Sequence, residues 1–331
     1  MKRAVVVGSG SIAKRHIGNL RHLYPNAEVI CVSSSGRQLS AREVGATSVA
    51  DSLDLAVAGE PDIAIVASPA NFHLAHAQII LNSNVPVLIE KPLCVTLSSL
   101  SHFTFDKSKC KLAVGYNLRF MPAAKIVKNF IDSGELGRIS TVFSEVGQYL
   151  PDWRPGADYR KGVSGQRKFG GGALLELSHE LDYLNWFFGS FAKVSAVMSS
   201  SRNLDIDVED SVDALLINKH GTVVHLHLDF LQRSPSRSLK VVGEKGTLIW
   251  NLLKNDVVML RSSLEEELVY SNQIYDKNEM YIEQLRAFVA FASGNGVFDS
   301  TLDSSIEVMR MIESIRLSNE QKTWIRLEAI A

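Results

Sequence analysis

The sequence predicts an α/β protein: a doubly wound parallel sheet at the N-terminus, then an α+β domain on a large, open, mainly antiparallel sheet. Three observations predict it. Over residues 1–120, short strands that are apolar on both faces alternate with amphipathic helices, the pattern of a parallel sheet covered on both sides. The first strand, Val5–Val7, runs directly into Gly8-Ser9-Gly10-Ser11-Ile12-Ala13. Beyond about residue 120 strand-like stretches follow one another with turns between them.

The elements follow from local pattern. Val5–Val7 is β-branched and apolar throughout, and Ala13–Leu23 carries Ile17, Leu20 and Leu23 at helical spacing. Glu28–Val32, Ala64–Ala67, Val87–Ile89 and Leu112–Gly115 supply four further strands, with a helix at Leu74–Leu81. The second part starts with a helix at Ala123–Ser133, ended by Gly134, and a strand at Ser140–Gln148. Residues 150–172 form a long loop rich in Gly, Pro, Arg and Lys, and loops of that length inside a folded domain are usually functional. One helix is expected from Ala173 to Phe188. Strands follow at Lys193–Ser199, Ser211–Asn218, Val223–Phe230, Leu239–Gly243, Thr247–Asn251 and Val257–Arg261, then helices at Tyr281–Ala292 and Ser304–Asn319. Residues 1–120 are therefore expected to form a dinucleotide-binding domain. Residues 121–331 are expected to form an α+β domain for substrate binding and oligomerisation, because an open sheet has a face and edges to cover.

Composition narrows the class. The chain has 331 residues, 46% hydrophobic and 21% charged, with net charge −1, which gives no reason to expect a nucleic-acid partner. Cys31, Cys94 and Cys110 are widely spaced, which suits buried thiols in a reducing compartment and no zinc site. The apolar run after Met1-Lys2-Arg3 ends at Gly8, too short for a signal-peptide core or a membrane span. A cytoplasmic protein with no membrane partner and no metal is expected.

Gly8, Gly10 and Ala13 form the G-x-G-x-x-A fingerprint in its strand–turn–helix context. The backbone N–H groups around Gly10, Ser11 and Ile12 then suit a pyrophosphate. The second strand ends at Val32 and leads into Ser33, Ser34 and Arg37, without the acidic residue that usually takes the ribose 2′-hydroxyl of NAD. Serines and a guanidinium suit a 2′-phosphate, so NADP is the expected cofactor and NAD the alternative. Ser68, Pro69 and His73 follow the third strand, and His73 is a candidate nucleotide contact.

Other residues carry candidate chemistry. Glu90-Lys91-Pro92 follows the fourth strand, at the carboxyl edge where open α/β sheets bind ligands. Lys91 could hold a substrate hydroxyl or move its proton; a solvated Lys–Glu pair is the plainer alternative. Asn117 suits a polyol hydroxyl, while Arg119 suits either substrate or a structural ion pair. On the expected helix Ala173–Phe188, Glu176 and His179 stand i, i+3, as do His179 and Asp182, which suits general acid–base work. The alternative there is a polar helix side with one core-edge histidine. Trp153, Tyr159 and Arg160, with Arg154, Asp158, Arg167 and Lys168, make the long loop suited to a sugar ring, a phosphate or a carboxylate, or else an ordinary basic loop. His225 and His227 alternate on one strand and read as structural.

Taken in order, Gly8-x-Gly10-x-x-Ala13, Ser68-Pro69-x-x-x-His73, Glu90-Lys91-Pro92, Asn117-x-Arg119 and the glycine run leading to His179-x-x-Asp182 resemble the Gfo/Idh/MocA family along most of the chain. The resemblance implies a Rossmann domain followed by an α/β domain with a large open sheet. It implies reversible hydride transfer between a nicotinamide and a hydroxyl carbon of a sugar, polyol or sugar nucleotide. It carries the family's catalytic lysine and histidine onto Lys91 and His179. The family often has an Asp four residues before that histidine; here Leu175 stands there and the acid is Glu176. Two alternatives remain at this stage: a Rossmann protein that binds a nucleotide or sugar without turnover, and a reductase of the same fold acting on a non-sugar. A homodimer or homotetramer through the C-terminal sheet is expected.

Overall fold

The structure, a computed structural model, describes residues 1–104, 106, 111–262 and 265–330; Cys110 lies outside them. Backbone contacts divide the chain into two units. The first is Met1–Phe120 with Lys277–Ile306, and the second is Met121–Asp276 with Glu307–Ala331. The expected domain 121–331 therefore does not hold as one piece: the segment Lys277–Ile306 returns to the first unit. Its helix Glu279–Ala292 brings Leu285 and Phe288 into the same apolar core as Ile17 and Leu20.

In the first unit β1 (Arg3–Val7), α1 (Ser11–Leu23), β2 (Glu28–Val32), α2 (Ala41–Val44), β3 (Ser48–Ala50), α3 (Leu53–Ala58), β4 (Ile63–Val66), α4 (His73–Asn82), β5 (Val87–Ile89) and β6 (Leu112–Val114) alternate along the chain. The strands form one sheet of order β3-β2-β1-β4-β5-β6, every pair parallel. β1 lies at the switch point, so its carboxyl end opens onto the crevice where such sheets bind ligands. Ala4, Val5, Val6 and Val7 are all fully buried, as strands covered on both faces require. Ala13, Ile17 and Leu20 give α1 one buried stripe against them. β3, α2 and α3 were not anticipated; with three, four and six residues they are too short to show periodicity.

In the second unit α5 (Pro122–Asp132) starts with Pro122 at its first turn, where a missing N–H costs nothing. β7 (Ile139–Gly147), α6 (Ala173–Glu176), α7 (His179–Phe188), β8 (Phe191–Ser199), β9 (Ser211–Asn218), β10 (Val223–Asp229), β11 (Ser236–Gly243), β12 (Gly246–Asn251), β13 (Asp256–Ser262) and β14 (Glu265–Ser271) follow. After α8 (Glu279–Ala292) and α9 (Leu302–Gln321) comes β15 (Ile325–Arg326). The nine strands are ordered β14-β13-β12-β11-β7-β10-β9-β8-β15. All pairs are antiparallel except β10 with β7. β14, Glu-Glu-Glu-Leu-Val-Tyr-Ser, escaped notice because its acidic start hides the alternation.

One face of this sheet is core: Val212, Ala214 and Leu216 of β9 and Val224, Leu226 and Leu228 of β10 are buried. Against that side Tyr183 of α7 hydrogen-bonds Ser144 at 2.7 Å and packs with Phe187 and Trp250. The other face keeps Phe143 (40% exposed), Val197 (60%) and Leu215 (37%) open. The chain reverses face with every residue, so a single alternation builds both surfaces.

Candidate functional site

The first unit assembles its polar groups at the carboxyl edge of the parallel sheet. Gly8 sits at φ +121°, and a Cβ there would lie 2.4 Å from the Ala67 carbonyl oxygen, so glycine is required for β1 and β4 to end side by side. At Gly10 a Cβ would meet nothing within 4 Å among the described residues. Gly10 opens α1 with no side-chain cap and no acidic residue in the first turn. The start of α1, with Ser11 and Ile12, is thus an uncapped helix N-terminus with space before it, which fits a pyrophosphate.

Ser33 and Ser34 occupy the turn after β2, both half-buried. Arg37 reaches back to within 3.5 Å of the Ser9 hydroxyl, which places it beside the fingerprint. Its guanidinium is already engaged by Glu43, at 2.8 and 3.4 Å, and that carboxylate raises the Arg37 pKa while its own falls. A 2′-phosphate there would have to compete with Glu43, a residue the sequence reading did not weigh.

Lys91 is half-buried at the turn after β5, and both of its neighbours are held by buried histidines. Glu90 is 7% exposed and lies 2.6 Å from Nε2 of His16 on α1. Gly115 leaves room for this carboxylate, since a Cβ there would come within 3.2 Å of it. On the other side the Pro92 carbonyl is 2.8 Å from Nδ1 of His73 on α4, and Nε2 of His73 is 2.8 Å from the Ser68 carbonyl. Burial pushes the His73 imidazole down, against the pull of the two carbonyls and of Glu90. Both ring nitrogens of His73 thus face backbone carbonyls, and the neutral ring that burial favours donates its single N–H to one of them. The expected nucleotide contact from this side chain is corrected: His73 ties the Ser68-Pro69 turn to Pro92 from behind. Ser68 also meets His76, its hydroxyl 3.0 Å from Nδ1.

Asn117 is 3% exposed, and its Oδ1 has no hydrogen-bond partner among the described residues. Buried polar atoms are nearly always satisfied, so this oxygen marks a place for a ligand donor or a water. The Tyr281 hydroxyl bonds the Asn117 and Arg15 side chains; burial raises its pKa, and Glu90 adds to the rise. Arg119, also buried, donates to the Asp299 carbonyl at 2.9 Å, which favours the structural side of its two readings.

In the second unit the expected continuous helix breaks. α6 ends at Glu176 and α7 begins at His179, with Leu177 and Ser178 between them. Glu176 and His179 therefore do not share one helix face, and the i, i+3 argument for that pair is withdrawn. Glu176 accepts a hydrogen bond from Ser164 at 3.1 Å. The break lets the fully buried Glu180 meet Arg237 of β11 through two contacts, 2.7 and 3.1 Å. His179 is half-buried, and Asp182, one turn on, is fully buried.

The glycine run serves backbone packing. A Cβ on Gly171 would lie 2.4 Å from the Val163 carbonyl oxygen, and one on Gly172, at φ +108°, 2.2 Å from the Glu209 carboxylate. Glu209 accepts from the Leu174 N–H at 3.1 Å and is raised in pKa by burial. In the long loop Trp153 donates to the Gln148 carbonyl and stands edge-on to Phe230, while Tyr159 is half-buried. Arg160 is shared between Asp158 at 2.9 Å and Asp205 at 3.4 Å. The Arg167 guanidinium donates to the Asp207 backbone carbonyl, and its backbone N–H to the Asp207 carboxylate. Of the loop cations that the sequence offered to an anionic ligand, Arg160 is the one matched by carboxylates among the described residues.

Two stretches match family descriptions. Residues 2–116 match the oxidoreductase family with an NAD-binding Rossmann fold, and residues 125–249 match the GFO/IDH/MocA C-terminal domain. The chain belongs to the Gfo/Idh/MocA family. Among its relatives, the D-glucoside 3-dehydrogenase of Escherichia coli is 22% identical over 350 residues, covering 98% of this chain and 97% of that protein. The levoglucosan dehydrogenase of Pseudarthrobacter phenanthrenivorans is 24% identical, covering 82% of each. The putative oxidoreductase YteT of Bacillus subtilis is 32% identical over 133 residues, covering 39% of this chain and 30% of that protein. Solved structures share the fold. A levoglucosan dehydrogenase with NADH superposes with a TM-score of 0.85 at 19% identity, covering 98% of this chain and 99% of that one. The WlbA dehydrogenase of Bordetella pertussis with NADH and UDP-GlcNAcA gives 0.82 at 22%, covering 98% and 97%.

For this Gfo/Idh/MocA protein the sequence reading missed His16, Glu43, Tyr281 and Glu209. Only His16 left a trace: a histidine on the apolar stripe of α1, where a polar side chain needs a partner. Tyr281 and Glu209 act across long sequence separations, and Glu43, six residues from Arg37, sits on a helix too short to show in the pattern. Among the described residues no group of three His, Cys, Asp or Glu could hold a metal, and no helix is long and apolar enough to cross a membrane.

Proposed function

We propose that the chain is a nicotinamide-dependent dehydrogenase that interconverts a carbinol and a carbonyl on a sugar, polyol or sugar nucleotide. The observation that carries the reading is the braced Glu90-Lys91-Pro92 turn at the carboxyl edge of a sheet whose first crossover is an uncapped, spacious helix N-terminus. The nicotinamide, when bound, supplies the hydride acceptor or donor. Lys91 takes or returns the hydroxyl proton through Nζ, and His179 is the second proton-handling group. Asn117 Oδ1, buried without a partner, accepts a hydrogen bond from a substrate hydroxyl or a carboxamide. Trp153, Tyr159 and Arg160 are proposed to line the substrate side of the second unit; the substrate contact expected of Asp182 is corrected, because that residue is 0% exposed.

The cofactor choice turns on Arg37. NADP(H) is favoured by the guanidinium and by the missing acid after β2, and NAD(H) by the Glu43 carboxylate already on it. Because that pair must open to admit a 2′-phosphate, we place NAD(H) first and NADP(H) second. NADH and NADPH titrations followed by fluorescence decide between them. The test of the reaction is nicotinamide absorbance with levoglucosan, inositol, D-glucosides and UDP-sugar acids. With any sugar that turns over, Lys91→Ala is expected to lower kcat by about two to four orders of magnitude while leaving NADH affinity nearly unchanged. A Lys91→Ala enzyme at the wild-type rate ends the assignment.

The open face of the second sheet is proposed to bind a second copy of the chain. It bears a hollow of about 470 Å³ lined by Phe143, Val197, Leu215, His225 and His227. Phe143 and His225 stack at 4.7 Å there, with the Lys240 ammonium 4.5 Å from the Phe143 ring. Light scattering should give a dimer or tetramer mass, and Val197→Glu should lower it; a monomeric wild-type mass overturns this proposal.

A further inference from the structure

Lys91 is the residue on which the proposed chemistry rests, and the feature that sets it apart is what holds the residues before and after it. The Glu90 carboxylate is fixed to α1 through Nε2 of His16 at 2.6 Å, and the Pro92 carbonyl to α4 through Nδ1 of His73 at 2.8 Å. His16 is 0% and His73 1% exposed, so neither bond competes with solvent. Nδ1 of His16 has no partner among the described residues, so the ring proton belongs on Nε2, facing the carboxylate. The two helices start at the edges predicted to hold the cofactor: α1 at Gly10, α4 just after Ser68-Pro69.

We propose that His16 and His73 are positioning residues for Lys91, fixing its backbone from both sides so that Nζ is delivered to one place. A hydrogen bond lost inside the protein leaves a buried polar group unpaired, and either loss frees one side of the turn. A displacement of about 1 Å at a catalytic group can cost on the order of 100-fold in rate. Nε2 of the His73 ring lies 2.8 Å from the Ser68 carbonyl, so the ring also stands packed between the Lys91 turn and the Ser68 turn. His16 does the same for Lys91 and the fingerprint helix.

This inference rests on the reading of Lys91 as the proton carrier, but its test needs no substrate. Trace acetylation of the whole chain with acetic anhydride, read by mass spectrometry, gives the labelling rate of Lys91 relative to the exposed Lys2 and Lys219. In His16→Ala and in His73→Ala that ratio is expected to rise about threefold or more as the half-buried amine loses its fixed place, with the Lys2 to Lys219 ratio unchanged. His16→Gln is expected to restore the wild-type ratio, because its amide reaches the position of Nε2. NADH affinity should stay within about threefold, since no proposed cofactor contact is removed. Should His16→Ala not fold, His16→Asn against His16→Gln makes the same comparison, as the asparagine amide falls short. An unchanged Lys91 ratio overturns the proposal, and so does a rise that glutamine fails to reverse. Failure of every sugar in the absorbance assay would instead strike the proposed reaction and leave the labelling result standing.

Discussion

The two units hold their polar groups in opposite ways. In the first, His16 with Glu90 and His73 with two carbonyls are buried pairings at the edge of a parallel sheet. In the second, the loop 150–172 keeps Arg160 half exposed between Asp158 and Asp205. The difference teaches that the number of charges in a sequence stretch says little about its strength as a site. A buried donor has no water to fall back on, so each pairing fixes geometry. An exposed arginine already matched by two carboxylates offers little net charge to a ligand and little stability to the fold.

Burial, and not the unit, is the variable, and Glu180 shows it. It lies in the second unit, is fully buried, and meets Arg237 through two nitrogens. Glu180→Ala removes a fully buried carboxylate from a guanidinium that is 22% exposed, so the cost is expected toward the low end of the about 3–5 kcal/mol of a fully buried pair. Urea unfolding monitored by circular dichroism should show that loss. A change below about 1 kcal/mol would break the comparison, since it would make buried and exposed pairs alike.

A smaller effect is expected on the open sheet face, where His227 stands between the two extremes. Its ring nitrogens are 2.8 Å from Asp229 and 2.7 Å from Asp213, and the Asp229 hydrogen bond, with Asp213 adding to it, raises its pKa to about 9. An unfolded histidine titrates near about 6.5. The folded value is the higher one, so the stabilisation is complete below about pH 6.5 and is lost as pH rises through about 9. Solvent reaches the ring, so the amount is modest. Thermal unfolding of wild type and His227→Gln across that window should show the wild type losing its advantage as pH rises; parallel curves would remove His227 from the comparison.

The legible part of the fold was what repeats or punctuates. β4, β5 and β6 are apolar over their whole length, and β1 and β2 are apolar after a single charged first residue, so pattern alone located them. The Gly8–Ala13 fingerprint and Glu90-Lys91-Pro92 are contiguous, and contiguous motifs can be read without coordinates. What escaped was non-local. The return of α8 to the first core depends on Leu285 and Phe288 packing near Ile17, about 270 residues away along the chain. The break between α6 and α7 escaped because Leu174, Leu177, Leu181 and Leu184 keep helical spacing across it. The pull of Glu180 toward Arg237 is written in no local pattern. The His73 reading went astray for a related reason: a side chain next to a ligand-binding turn can face the turn's backbone as well as the ligand.

The smallest expected effect is the most direct test of the contrast. Arg160 was the loop residue whose charge and setting suited an anionic sugar, yet its guanidinium bonds Asp158 and its pKa is raised chiefly by that carboxylate. If the carboxylates hold it only as a surface pair, Arg160→Ala should leave the unfolding temperature within about 1 °C of wild type. It should also leave NADH affinity unchanged. A separate change would then be diagnostic: a rise in KM for an acidic sugar nucleotide with no rise for a neutral sugar. That outcome would mean the arginine leaves Asp158 to meet the ligand, so the pair stores a cation for use. A KM unchanged from wild type for both sugars would leave the loop arginine as structure, and the contrast between braced and solvated charge would hold.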